Sequence, residues 1–162
     1  MISKIHFSNN SDEWETPQYF IDSLNIKFDL DVCATKENTK GIEFFTKDDD
    51  GLAKQWKGIN YNAKFIWCNP PYSNIKSWIK KAYEQSQLNS NIIVIMLVPS
   101  RTDTKWFHEY ATRGQIFLLK GRLKFSNCKN SAPFPSCLVV FNKYLDPNIF
   151  SGIDDFIRKF KN

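Results

Sequence analysis

Asn69-Pro70-Pro71-Tyr72 places an amide, two rigid prolines and an aromatic ring in four consecutive residues. The Asn oxygen is an acceptor, and Pro70 and Pro71 have no N–H to offer the carbonyls beside them. Because proline fixes its φ angle, those carbonyls are held stiffly. The pattern therefore predicts a rigid set of acceptors for a planar N–H₂ group, and Tyr72 adds a flat face on which a planar ring can stack.

Such an acceptor set favours one reaction of an exocyclic amine. Acceptors on both hydrogens favour a pyramidal nitrogen whose lone pair is no longer delocalised into the ring. That nitrogen can attack an activated methyl group, and positioning alone can supply on the order of 7–11 kcal/mol of the acceleration. The structural alternative is that the two prolines end a strand and that Tyr72 is a core residue, since Asn and Pro are common in turns.

The neighbouring residues predict the elements that position the motif. "KFIWCN" is typical of a strand that runs straight into Asn69, and Ser73 is expected to cap the helix that follows. Apolar residues recur at helical spacing in this helix, at Ile75, Trp78, Ile79, Ala82 and Tyr83. In an open parallel sheet ligands bind beyond the carboxyl ends of the strands, so this placement favours a site over a simple turn.

The remaining pattern alternates strands and helices. Thr16 is expected to cap a helix that begins at Pro17 and buries Phe20, Ile21 and Leu24. "KFDLDVCA" and "IEFF" predict strands, and "NIIVIMLVPS", apolar on both faces, predicts a central parallel strand. Trp106, Phe107 and Tyr110 indicate a further helix.

The end of the pattern differs from a regular α/β alternation. "QIFLL" and "CLVVF" are strands with no helix between them, so the last strand is expected to be antiparallel. "GIDDFIRKFKN" indicates a short amphipathic helix. The span from Ala34 to Phe65 is short for two complete βα units. We therefore predict an α/β domain with a mostly parallel sheet, an antiparallel C-terminal strand and a reduced size.

Length and composition are those of one globular domain spanning residues 1–162, with 42% hydrophobic and 24% charged residues. The longest apolar run, Ile92 to Val98, is too short to cross a bilayer, and no signal peptide is evident at the N-terminus. We expect a cytoplasmic protein with reduced thiols and no membrane partner. The four cysteines and two histidines lack ligand spacing, so no metal is expected.

The positive charge is concentrated in one segment. The net charge is +5, and no Asp or Glu occurs from Ala111 to Leu145. That window contains Arg113, Lys120, Arg122, Lys124, Lys129 and Lys143. A local basic face fits a polyanionic partner such as nucleic acid, and the alternative is a solvated edge whose lysines prevent aggregation.

The ordered set of motifs resembles a known family. "SDEWETP", "FDLDVCA", "DDDGLAKQW", "WCNPPYSNIKSWIKKA", "VPSRTDTKWF" and "GRLKF" with "PFPSCLVVF" are similar, in this order, to phage and prophage Dam-like DNA N6-adenine methyltransferases. The resemblance runs from Ser11 to Phe141. It implies a Rossmann-like methyltransferase fold, S-adenosylmethionine as cofactor, and double-stranded DNA with an adenine target as partner, with the host cell cytoplasm as its location if the gene is carried by a phage.

The resemblance also implies cofactor-binding residues. Trp14, Thr16 and Pro17 match the motif that contacts the methionine part, and Asp31 matches the acid that binds the cofactor's amino group. Asp50 is a candidate for the adenosine end. The alternatives are that Trp14 staples the helix entry, that Thr16 only caps, and that Asp50 belongs to a solvated loop. For Asp31 a purely structural role is less plausible, because a buried unpaired carboxylate is costly.

The nucleic-acid residues follow in the same way. Asn69, Pro70, Pro71 and Tyr72 match the catalytic motif that takes the target adenine. The row Lys120, Arg122, Lys124 and Phe125 is implied to face the nucleic acid, with Phe125 stacking on a flipped base. The first three alternate on one face of an extended segment, and Phe125 on the other face has a core role as its alternative.

Two features depart from the family pattern. The loop "LDVCATKEN" lacks the glycine-rich turn that often follows the first strand. We also expect no second domain for sequence recognition, so any specificity is expected to come from loops such as Ser126 to Ser136. The leading prediction is DNA adenine N6-methylation. Its alternatives are methylation of an RNA base or of a protein glutamine, and a catalytically silent DNA-binding module. The recognition sequence and the oligomeric state stay open.

Overall fold

The computed structural model describes residue 12 and residues 14–58 and 62–144, and the fold within these ranges is a six-stranded mixed sheet with helices. The strands are β1 Phe28–Asp31, β2 Gly41–Phe44, β3 Phe65–Cys68, β4 Ile93–Pro99, β5 Gln115–Leu118 and β6 Ser136–Phe141. The helices are α1 Gln18–Ser23, α2 Ile75–Leu88 and α3 Lys105–Glu109. The predicted α/β class is thereby confirmed. No helix in the described ranges is long and apolar enough to cross a membrane.

The sheet order is β2-β1-β3-β4-β6-β5. β1 pairs in parallel with β2 and β3, and β3 pairs in parallel with β4. The predicted antiparallel final strand is confirmed, because β6 is antiparallel to both β4 and β5. The chain leaves β1 toward one side for β2 and then returns to the other side for β3. Such a reversal opens a crevice at the carboxyl ends of the strands.

β4 is the centre of the core, as predicted. All of its residues are buried, and they alternate between the two faces of the sheet. Val94, Met96 and Val98 pack on the side of α2 and α3, whereas Ile93 and Ile95 pack on the side of α1. An irregular segment from Leu119 to Ala132 covers the second side together with α1. Both faces of β4 are covered, which explains why its sequence is apolar at every position.

The antiparallel insertion of β6 sets where the basic segment emerges. Since β4 and β5 are both antiparallel to β6, β5 runs in the same direction as β1, β3 and β4. The pairs Leu118–Cys137 and Pro99–Ser136 show that β5 and β4 end at the same edge of the sheet. The residues that follow β5 therefore leave the sheet on the edge where the motif at Asn69 lies.

The expected reduction in size is also confirmed. The connection between β1 and β2, residues 32–40, consists of turns, where a full βα unit would place a helix. Such a crossover normally needs a dozen or more residues. The missing helix leaves the carboxyl end of β1 covered by only a short loop.

Two predicted helix caps are wrong. Pro17, one residue before α1, is the N-cap, and no side chain caps this helix. The Thr16 hydroxyl is engaged elsewhere, by Asn69. Ser73 lies inside a 3-10 turn, Tyr72–Asn74, so that Asn74 precedes α2, and the Ser73 hydroxyl donates to Asp12 instead. In both cases a tertiary hydrogen bond competes successfully with a local cap. The C-terminal helix predicted at "GIDDFIRKFKN" lies outside the described residues.

Candidate active site

A cavity of about 800 Å³ opens at the carboxyl ends of β1 and β3. Its walls come from the segment before α1, the loop after β1, the residues between β2 and β3, and the turn after β3. Asn69, Pro70 and Pro71 line it on one side, and Asp31 lies in the wall formed by β1. The volume is in the range of pockets that enclose a small molecule.

The amide of Asn69 is held by three hydrogen bonds. Its Nδ2 donates to the carbonyl oxygen of Trp14 and to Oγ1 of Thr16, the latter at 2.9 Å. Its Oδ1 accepts from the hydroxyl of Tyr72 at 3.1 Å. Both amide hydrogens are thus engaged by protein acceptors, while an amide oxygen has two lone pairs, one of which the Tyr72 hydroxyl occupies. The arrangement presents position 69 as an acceptor.

Tyr72 donates its hydrogen bond to Asn69 from the core side of the site. Its side chain is buried, and its ring packs edge-on against Phe134 with 5.6 Å between the centroids. Burial raises the pKa of Tyr72 above its usual range, with smaller contributions from Cys137 and Cys68. The hydroxyl therefore keeps its proton and stays a hydrogen-bond donor at every physiological pH. In this structure the ring lies in the core, the alternative considered for it, and does not line the cavity.

The segment before α1 is fastened at both ends of the site. Asp12 accepts hydrogen bonds from the backbone N–H of Ser73 at 2.8 Å and from the Ser73 hydroxyl. The Trp14 ring packs against Phe125 and Phe134, at centroid distances of 5.2 and 5.0 Å. These contacts hold the segment before α1 in the position at which the Trp14 carbonyl accepts from Asn69.

Glu15 connects the same segment to the residues that follow β5. Its N–H donates to Oδ1 of Asn127 at 3.2 Å, and its carbonyl accepts from the N–H of Ser126 at 2.9 Å. Trp14 and Thr16, on either side of Glu15, both accept hydrogen bonds from Asn69. Glu15 therefore links the motif at Asn69 to the segment after β5 that carries Lys120, Arg122 and Lys124, here called the basic row. Such coupling depends on contacts far apart in sequence.

Asp31 is a buried carboxylate with two backbone donors. Its Oδ2 accepts from the N–H of Lys40 at 2.9 Å and its Oδ1 from the N–H of Cys33 at 3.2 Å. Burial raises the pKa of Asp31 to about 6, against the opposing effects of these two hydrogen bonds and of the Lys40 charge. With a pKa of about 6 the carboxylate is mostly ionised at neutral pH, and the net destabilisation of its charge by burial suits it to bind an ammonium group.

The described segment that follows β2, residues 45–58, is here called the strap. Gly51 allows the strap to approach the residue after β1 closely. A Cβ atom at this position would lie 2.3 Å from the Val32 carbonyl oxygen and 3.0 Å from the Trp78 ring. The strap is also anchored by Trp56, whose indole N–H donates to the Gly51 carbonyl and whose backbone N–H donates to Gln85, both at 2.8 Å. The loop after β1 has no glycine of its own, and Gly51 supplies the close backbone approach there from a different segment of the chain.

The resemblance implies that S-adenosylmethionine binds beside the strap, and on that assignment we expect Gly51→Ala to weaken its binding by about tenfold. The added methyl must displace the strap from the Val32 carbonyl, and overpacking of this kind typically costs about 1–3 kcal/mol. Isothermal titration calorimetry with S-adenosylmethionine measures the change. DNA affinity should stay within twofold of the wild type, because the basic row is on another segment. Wild-type cofactor affinity in this variant would contradict the assignment of the strap to the cofactor wall.

Comparisons with known proteins agree with the resemblance. The family model described as DNA N-6-adenine-methyltransferase (Dam) matches residues 4–153. The chain belongs to this family. It is 35% identical over 125 residues to the DNA N-6-adenine-methyltransferase of Haemophilus phage HP1 (strain HP1c1), covering 74% of this chain and 69% of that protein. It is 40% identical over 101 residues to the DNA N-6-adenine-methyltransferase of Escherichia phage T1, covering 60% of this chain and 40% of that protein.

Within this Dam-family chain, most sequence-predicted cofactor residues come together. Trp14, Thr16, Asp31 and Asp50 all line the cavity beside Asn69. Pro17 is buried at the start of α1 and does not line it. Asp50 is exposed at the cavity rim with a positive φ of 53°.

The residues predicted for the nucleic acid divide into two groups. Lys120, Arg122 and Lys124 are exposed, but only Arg122 and Lys124 alternate with buried residues, Leu123 and Phe125. Gly121 is exposed as well and has a φ of 80°, so the chain bends between Lys120 and Arg122 and the predicted extended row is interrupted there. Phe125 itself is fully buried against Trp14. The core alternative considered for Phe125 describes its position, so its ring supports the site from inside and is not presented on the surface.

Sequence reasoning missed Asp12, Glu15 and Gly51. Asp12 and Glu15 lie in the quoted motif "SDEWETP", whose acidic residues had no visible partner in sequence. Gly51 had a signal, since it follows three aspartates and is the first glycine after the short strand β2. Among the described residues, no group of His, Cys, Asp and Glu side chains is arranged to hold a metal ion.

Proposed function

We propose that this chain transfers a methyl group from S-adenosylmethionine to the exocyclic amine of an adenine in double-stranded DNA. The observation that carries the proposal is the Asn69 amide at the cavity edge. Both of its hydrogens are donated to protein acceptors, so its oxygen is the atom that remains to accept a hydrogen bond from a ligand. We further propose that residues 1–162 act as one methyltransferase domain, working in the cytoplasm of the host cell.

The chain's own residues prepare the amine. Asn69 Oδ1 and the Pro70 carbonyl accept its two hydrogens, and this grip favours a pyramidal nitrogen with a localised lone pair. Bound S-adenosylmethionine supplies an activated methyl group. The two prolines keep the acceptors from relaxing, so their alignment needs no reorganisation when charge develops on the nitrogen. The methyl carbon would pass from sulfur to nitrogen, the sulfur would keep the electron pair of the broken S–C bond, and the extra proton on nitrogen would then pass to water, so Asn69 is not required as a base.

The cavity fits the cofactor in size and in charge. S-adenosylmethionine carries a sulfonium and an ammonium against one carboxylate, so it is a net cation. Among the described residues lining the cavity there are five acids, Asp12, Glu15, Asp31, Asp48 and Asp50, and three lysines, Lys36, Lys40 and Lys47. The excess of carboxylates favours a cationic ligand, and Asp31, the buried one, is proposed to receive the ammonium group.

The DNA is proposed to lie across the carboxyl edge of the sheet. Lys120, Arg122 and Lys124 emerge there after β5, and they carry the charge that phosphates need. An adenine inside a duplex must leave the stack to reach Asn69, at a cost of a few kcal/mol. Contacts between the basic row and the backbone on either side of the target stabilise the DNA in that state.

We expect replacement of Lys120, Arg122 and Lys124 by alanine to reduce the slope of log affinity against log salt by about 3, one unit for each lost phosphate contact. Fluorescence anisotropy with a duplex at several salt concentrations measures the slope. The matched control replaces Lys27, Lys64 and Lys143, which are exposed at the opposite edge of the sheet. An equal change in both triple variants would show that only net charge matters and would remove the basic row from the interface.

The decisive experiment presents DNA, RNA and a protein substrate side by side. The protein is incubated with labelled cofactor and each substrate, and modified adenines in unmethylated duplex DNA are mapped by sequencing. Label in DNA adenine alone supports the proposal, whereas label in RNA or in glutamine supports the corresponding alternative. Absence of cofactor binding in calorimetry, with and without DNA, would identify a silent DNA-binding module.

A further inference from the structure

We propose that Thr16 is a positioning residue for catalysis, whose hydroxyl orients the amide of Asn69. This assignment rests on the proposed function of Asn69 and deepens it. It differs from the two roles that the sequence suggests for Thr16, cofactor contact and helix capping. The structure excludes the cap, because α1 has no side-chain cap.

The geometry around the amide selects one of its two orientations. A backbone carbonyl can only accept, so the Trp14 oxygen requires a donor, and Nδ2 is the only donor in the Asn69 side chain. Thr16 Oγ1 accepts the second Nδ2 hydrogen at 2.9 Å. On the other side the Tyr72 hydroxyl, which keeps its proton, donates to Oδ1 at 3.1 Å. Flipping the amide by 180° would place oxygen against oxygen at Trp14 and would remove the acceptor of the hydrogen bond that Tyr72 donates.

Of the three partners of the Asn69 amide, Thr16 is the one whose contact a single substitution can remove without altering the main chain or the core. The Trp14 partner is main chain, and Tyr72 is a large ring locked in the core, whereas the Thr16 contact depends on one hydroxyl. Pro17 follows directly, and the residue before a proline is restricted to extended conformations. Thr16 is itself only 4% exposed, and a valine of the same shape would leave little room for a water molecule at the position of its hydroxyl. The pair Thr16-Pro17 therefore aims a hydroxyl at a residue 53 positions away.

The test compares Thr16→Val, which keeps the shape and removes the hydroxyl, with Thr16→Ser, which keeps the hydroxyl. We expect kcat of Thr16→Val to fall by about 10- to 100-fold, the size of effect that small misplacements of reacting groups cause. The Kd for S-adenosylmethionine and the KM for DNA should stay within about threefold. Thr16→Ser should recover most of kcat. Thr112→Val serves as the matched control, since Thr112 donates to the His108 carbonyl on the surface, away from the cavity.

A second readout does not depend on activity. The side-chain amide protons of Asn69, observed by NMR with ¹⁵N labelling, should exchange slowly in the wild type and in Thr16→Ser, and at least about tenfold faster in Thr16→Val. Unchanged amide exchange together with unchanged kcat in Thr16→Val would overturn the inference, and so would a loss confined to cofactor affinity. If the wild type does not methylate adenine, the proposed function fails, but the exchange experiment still decides whether Thr16 orients the amide.

Discussion

Asn69→Ala should reduce methylation of duplex DNA by about 10²- to 10³-fold. The side chain supplies the acceptor that the amine needs, and loss of one preorganised hydrogen-bonding group of this kind commonly costs about 10²–10³ in rate. The variant also leaves the Trp14 carbonyl, the Thr16 hydroxyl and the Tyr72 hydroxyl without their partner. Nucleoside mass spectrometry of N6-methyladenine after a fixed incubation gives the measurement.

The fold and the DNA affinity of Asn69→Ala should be largely retained, because the site lies at the sheet edge and the basic row is untouched. Circular dichroism and fluorescence anisotropy test these two points. Asn91→Ala is the matched control, since Asn91 is an exposed asparagine at the amino end of β4. Full N6-methyladenine formation by Asn69→Ala would refute the mechanism even if the chain were confirmed as a methyltransferase.

Asp31→Asn should weaken the binding of S-adenosylmethionine by at least about 30-fold. Removing one partner of a buried charge pair costs about 2–5 kcal/mol, much of it for the charge left unpaired. For the wild type, affinity should rise as the pH increases through about 6, because the carboxylate must ionise before it can receive an ammonium group. The variant should show little of this pH dependence, and calorimetry between pH 5 and 8 compares the two.

The same titration predicts the stability of the ligand-free protein. The pKa of Asp31 is raised from 3.8 to about 6 on folding, so the folded state binds the proton more tightly than the unfolded state. The resulting stabilisation is fully present below pH 3.8 and is lost as the pH rises through 6, by about 3 kcal/mol in total at 1.36 kcal/mol per pKa unit. Urea unfolding should show this fall as a difference between the wild type and Asp31→Asn.

Asp29→Asn is the control for both experiments. Asp29 lies two residues earlier on β1 and also accepts two backbone hydrogen bonds, from Lys64 and Phe65, each at 2.9 Å. It faces the amino end of the sheet and does not line the cavity. We expect this variant to lose stability without losing cofactor affinity. Equal losses of affinity in the two variants would remove the special role of Asp31.

The sequence predicts elements well where one local pattern determines them. β4 is apolar at every position because both its faces are covered, and the antiparallel β6 follows from two strands with no helix between them. Asn69 was placed at the edge of the sheet because a strand runs into it. These features depend on periodicity and chain connectivity, which a sequence displays directly.

The residues that orient the motif could not be predicted in this way. Thr16 and Ser73 have strong local preferences as helix caps, but both are captured by partners more than 50 positions away. Phe125 carries no local sign of whether it faces DNA or the Trp14 ring. Gly51 is required by the Val32 carbonyl, which only the folded sheet brings near it. Long-range geometry decided each of these.

The bridge at Glu15 has a consequence for the order in which the protein matures during synthesis. Asn69 leaves the ribosome early, yet the segment that orients its amide is locked by Ser126 and Asn127, more than 110 positions after Glu15. Contacts of such long sequence separation form late, after the loops between them have closed. A nascent chain that has formed β1 and β3 therefore does not yet fix the segment that holds the Asn69 amide. On the proposed function, the chain would become able to transfer a methyl group only when the segment proposed to contact DNA has also folded.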